Sequence, residues 1–72
     1  MKIGQWRKEY ENEEGARWNN GRLTIIVESF PNEPKWVLFI TDWKFNRSVE
    51  KRYFTKEIAY EEAYKFMRLN PD

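Results

Sequence analysis

Trp36-Val37-Leu38-Phe39-Ile40-Thr41-Asp42-Trp43 is apolar on both of the faces that a period of two would give it. Trp36, Leu38 and Ile40 point one way, and Val37, Phe39, Thr41 and Trp43 point the other. A strand apolar on both sides belongs inside a sheet, with a neighbour along each edge and cover on each face. That strand, from Lys35 to about Trp43, organises the rest of the chain.

Upstream, Pro31-Asn32-Glu33-Pro34 interrupts any strand, because proline has no N–H to give to a ladder. Before the break, Arg22 to Phe30 alternates again. Leu23, Ile25 and Val27 share one face, and Thr24, Ile26 and Glu28 the other. Asn19-Asn20-Gly21 tolerates the positive φ angles of a type I′ turn, so Ala16 to Asn19 is predicted to form the first strand of a hairpin. In residues 1–15, Trp6, Lys8 and Tyr10 suggest an ordered arm. Glu11 to Gly15, rich in carboxylates, reads as a mobile, solvated loop.

Downstream, a turn near Asn46-Arg47 leads into a further strand, Ser48 to Phe54. Val49, Lys51 and Tyr53 lie on one of its faces, with Glu50, Arg52 and Phe54 on the other. The period then changes to 3.6. Thr55 is a natural N-cap, Glu57, Glu61 and Glu62 favour the positive end of a helix dipole, and Asn70-Pro71 ends the helix. Ala59, Ala63, Phe66 and Met67 fall within one arc, where two alanines permit close approach to a sheet.

The expected fold is therefore α+β: an antiparallel sheet of three to four strands packed on one C-terminal helix, in β-β-β-β-α order. A single domain spans residues 1–72, with an arm and loop at 1–15, the sheet at 16–54 and the helix at 55–70. Thirteen aromatic residues, four of them Trp, can supply a core for so short a chain without the disulfides that its lack of cysteine rules out.

Composition narrows the function. The longest apolar runs are far short of a membrane span, and no signal-peptide pattern opens the chain, so a cytoplasmic location without membrane contact is expected. Asn46-Arg47-Ser48 matches a glycosylation sequon and is read as coincidental in that setting. Without His the usual neutral-pH general base is missing, and without Cys a zinc site of the usual type is excluded. Ser29 and Ser48 lack the partners of a nucleophilic site, and among twelve carboxylates that could do acid–base work no spacing selects a pair. Gly4, Gly15 and Gly21 do not form a phosphate-cradling loop, and no cofactor is implied. The expectation is a protein that is not an enzyme.

Net charge is only +1, but it is unevenly spread. Residues 35–56 carry six basic groups against Asp42 and Glu50, whereas the segments before and after are net acidic. Within that basic stretch, Trp36, Trp43, Phe45, Tyr53 and Phe54 alternate with Lys35, Lys44, Arg47, Lys51 and Arg52. Cations that neutralise phosphates beside aromatic faces that stack on bases are the components of a nucleic-acid surface. Lys44, Arg47, Lys51 and Arg52 are the candidate phosphate contacts, and Trp36, Trp43 and Tyr53 the candidate base contacts. The same aromatics also suit a core, and the same cations suit the solvent side of ordinary strands. One helix can cover only one face of the sheet. The second needs the Trp6/Tyr10 arm, a second subunit or a ligand. DNA or RNA is the first expected partner. A protein partner or self-association through the same patch is the alternative, as in an adaptor or inhibitor domain.

Lys51-Arg52-Tyr53-Phe54-Thr55-Lys56-Glu57, followed by the alanine-spaced helix, resembles the strand-to-helix junction of arm-binding domains in phage-type tyrosine recombinases. The Asn-Asn-Gly hairpin also suits their plan of a three-stranded sheet plus a helix. What the resemblance implies is a sheet that lies in a DNA major groove.

Overall fold

A computed structural model describes residues 5–71. Five strands form one antiparallel sheet: β1 (Arg7–Asn12), β2 (Gly15–Asn19), β3 (Leu23–Ser29), β4 (Trp36–Asp42) and β5 (Arg47–Tyr53). Their spatial order is β1-β2-β3-β4-β5, so each strand pairs with its neighbour in sequence. One helix, α1 (Lys56–Leu69), follows and packs on a single face. The α+β fold with its C-terminal helix stands as the sequence implied, with one strand more than the three to four expected.

The additional strand is β1. The first four residues of the expected arm lie outside the described residues, and Glu11 to Gly15 are not the solvated loop that their charge suggests. Glu11 and Asn12 finish β1, and Gly15 begins β2. Glu13 and Glu14 form a short exposed turn between them, while Glu11 is held along its strand and Glu9 across it. Glu9 accepts from Asn19 at 2.9 Å and lies 2.7 Å from the Arg17 guanidinium, while Lys8 bridges to Glu11 at 2.7 Å. A bulge between Lys8 and Tyr10 breaks the regular alternation. Gly15 is required at its place: its φ is +152°, and a Cβ there would overlap the carbonyl oxygen of Val27.

The β2–β3 turn also differs from expectation. Asn20 donates to Leu23 O at 3.1 Å, so Gly21 and Arg22 are the two central residues. Gly21, at φ +96°, occupies the first of them, as in a type II′ turn. Asn20 instead uses its side-chain oxygen to accept from Arg22 N and Leu23 N.

The core lies between the sheet and α1. Trp18, Ile25, Val27 and Leu38 meet Ala59, Ala63 and Met67, and the alanines let the helix approach closely. Thr55 caps the helix by accepting from Ile58 N at 3.2 Å, as its position in the sequence implied. Trp6 joins this same side, buried and donating from Nε1 to Asn70 O at 2.7 Å. The arm therefore closes the helical layer and leaves the opposite face to other groups.

That second face is covered piecemeal. Phe30 meets Phe39 edge-on, with ring centroids 6.2 Å apart. Arg52 lies over the Phe30 ring and donates to Pro34 O at 3.2 Å. Beneath this cluster Val37 is fully buried. Nearer the far end, Trp43 donates from Nε1 to the buried Thr24 hydroxyl at 2.8 Å.

Candidate nucleic-acid interface

Strand pairing separates the seven residues singled out from the sequence. Trp36 pairs with Tyr53 in register, and both lie on the helical side, Trp36 buried and Tyr53 half-buried against the core. Burial holds the Tyr53 phenol above its ordinary pKa. Lys51 lies on that face too, on the rim of a groove beside α1. Arg52, across from Val37, points to the opposite face, where Glu50, Phe30 and Pro34 engage it. These four residues do not share a surface.

Trp43 and Lys44 share one loop and Arg47 closes it, although its pairing with Asp42 puts Arg47 on the helical side, whereas Trp43 packs on Thr24 of the opposite side. Asp42 and Arg47 are the last pair of the β4–β5 ladder, and Trp43, Lys44, Phe45 and Asn46 form the loop between them. Asp42 builds that loop by accepting from Lys44 N at 3.0 Å and Phe45 N at 3.4 Å. Asn46 takes the left-handed conformation that returns the chain to β5, at φ 52°. Trp43 N donates to Arg22 O at 2.9 Å, so the β2–β3 turn stands beside this loop at the same end of the sheet.

Arg22 thereby enters the site from a different hairpin. Its guanidinium bridges to Asp42 at 3.1 Å and lies 5.4 Å from the centre of the Phe45 ring. The Lys44 ammonium lies 5.6 Å from the same ring. Hydrogen bonding from Arg22 is the main reason that the Asp42 carboxyl sits below its ordinary pKa, with the Phe45 and Lys44 amides adding to it. Asp42 is thus already engaged by Arg22 and the loop. Lys44 and Arg47 have no ion-pair partner among the described residues.

The two rings of this loop are open to solvent, as are Phe54 and Leu69 elsewhere on the chain. Trp43 is 58% and Phe45 57% exposed, although most large apolar side chains here are buried or half-buried. The Trp43 indole is fixed along one edge by Thr24 and by its own backbone bond, so it is presented in a set orientation. The site is a rigid turn carrying two accessible aromatics, three cations and one neutralised carboxylate. Arg22 and Phe45 were absent from the sequence-derived set.

No metal-ligating cluster of three His, Cys, Asp or Glu side chains occurs among the described residues, and no helix among them is long and apolar enough to cross a membrane. Comparison with protein-family models, curated proteins and solved structures finds no match to this chain.

Proposed function

We propose that this chain is a non-catalytic, cytoplasmic module that binds single-stranded DNA or RNA through the β2–β3 and β4–β5 turns. Trp43 and Phe45 stack on unpaired bases, while Lys44, Arg47 and Arg22 neutralise the adjoining phosphates. The observation that carries this reading is a pair of more than half-exposed rings in one loop, Trp43 held by Thr24 and Phe45 flanked by Arg22 and Lys44. Leaving such rings in water forfeits burial worth about 1.5–3 kcal/mol for a side chain of this kind, and stacking on a base recovers about 1–3 kcal/mol. A non-catalytic role is supported by the lack of His and Cys, which leaves out the usual neutral-pH base and the thiol nucleophile.

The test is a fluorescence-anisotropy titration of labelled single- and double-stranded oligonucleotides at low salt. Binding should favour single strands, and log K should fall with log salt at a slope of about −2 for three phosphate contacts. Trp43→Ala should weaken binding about fivefold or more without unfolding the domain. Lack of binding up to about 100 µM protein at low salt would remove the proposal.

A further inference from the structure

The two edges of the sheet are not equivalent. β1 is broken by its bulge, a device that protects an open edge. β5 pairs with β4 through seven consecutive residues without irregularity, from Asp42↔Arg47 to Trp36↔Tyr53, and no strand among the described residues lies on its other side. It contains no proline, and Val49 on it is 51% exposed. A largely apolar groove of about 220 Å³ runs beside it, lined by Leu38, Ile40, Tyr53, Phe66 and Leu69, with Lys51, Glu62 and Lys65 carrying its charges.

The charge pattern of β5 identifies the occupant. Glu50 and Arg52 lie two residues apart on the same face and already form an ion pair at 3.3 Å. Opposite charges at positions i and i+2 are self-complementary across a two-fold axis through the residue between them. We propose that β5 pairs antiparallel with β5 of a second copy, with the axis at Lys51, to make a continuous ten-stranded sheet. Glu50 then faces Arg52 of the second copy twice on one side of the sheet. Val49 faces Tyr53 of the second copy twice on the side of the helices, where the two grooves join along the seam.

Competing registers are poorer. An axis at Glu50 sets two carboxylates against each other and forms no opposite-charge pair. An axis at Val49 sets Arg47 against Lys51 twice. The Lys51 axis gains two ion pairs and two apolar pairs against a single Lys–Lys contact. The long lysine stems can lie along the groove and carry their charges outward, toward Glu62. Of the groups in the proposed nucleic-acid site only Arg47 lies on β5, so variants of Trp43, Lys44 or Phe45 test nucleic-acid binding and variants of Glu50 or Arg52 test dimerisation.

Sedimentation equilibrium of the full chain from micromolar to about 1 mM tests it, a range that reaches the weak class of interfaces. The wild type should approach twice the single-chain mass at the upper end. Glu50→Arg alone and Arg52→Glu alone should each weaken dimerisation roughly tenfold or more, since each places like charges opposite twice. The Glu50→Arg/Arg52→Glu double variant should restore it, which a merely misfolded single variant would not allow. A wild type that remains monomeric throughout, single variants that dimerise normally, or a double variant that fails to recover would each overturn the proposal.

Discussion

The two faces of this sheet are made by the same strands and closed by different means. Under α1, cover comes as one rigid element whose Ala59, Ala63 and Met67 are fully buried, and Trp18 meets Tyr60 and Tyr64 edge-on at 5.5 Å each. On the opposite face, cover comes from separate side chains: Phe30 and Arg52 at one end, Trp43 at the other. Continuous cover buries whole side chains. Piecemeal cover protects Val37 and Thr24 completely while leaving Phe39 and Ile26 half-buried. A short chain can therefore close a second face without a second layer, using groups that retain an exposed side.

Three measurements can break or sharpen that contrast. Trp18→Ala should have the largest effect, a loss of about 3–5 kcal/mol in urea or thermal unfolding, because it empties the centre of the helical layer. Phe30→Ala should cost less, about 1–2 kcal/mol, since only part of the ring is withdrawn from water. Equal losses from the two would mean that both faces are core in the same sense.

The smallest effect is a titration. Partial burial of Tyr60 on the sheet-facing side of α1, reinforced by the nearby Glu11 carboxylate, pushes its phenol up to about 12. A raised folded-state pKa supplies stability that is fully present below the unfolded value near 10 and is lost as pH rises toward 12. Tyrosinate absorbance should show one of the four tyrosines resisting ionisation past pH ~11, with Tyr60→Phe removing that late step and flattening stability across the same window. A single ionisation of all four near 10 would contradict a dry helical layer.

Alternation made most of the fold legible. The face assignments of Leu23 to Glu28 and of Trp36 to Trp43 match the register, and the Thr55 cap and alanine arc match α1. β1 showed only as a short strand-like alternation of Trp6, Lys8 and Tyr10, for a physical reason. An edge strand exposed along its whole length has no apolar face to alternate, and its bulge disrupts what period remains. Asn-Gly pointed to the right hairpin but to the wrong central pair, because Asn20 offers the turn its side-chain oxygen instead of a positive φ.

The candidate site was half legible. Trp43, Lys44 and Arg47 were visible as neighbours in the chain. Phe45 lies between them in the chain, and its place in the site follows from the Arg22 and Lys44 cations at its ring. Arg22 could not be found by proximity in sequence, since only the pairing of β3 with β4 brings it to Asp42. Trp36 and Tyr53 show the opposite error. Their alternation already placed them on the helical side, and grouping residues by composition overrode that assignment.

Gln5 donates to Pro71 O at 3.0 Å, next to the bond from Trp6 to Asn70 O. The approach to β1 and the end of α1 are thus buttoned together, although 64 residues separate Trp6 from Asn70. Unravelling of the helix tail and peeling of the first strand's lead-in are consequently a single opening event, so neither can loosen while the other keeps its protection.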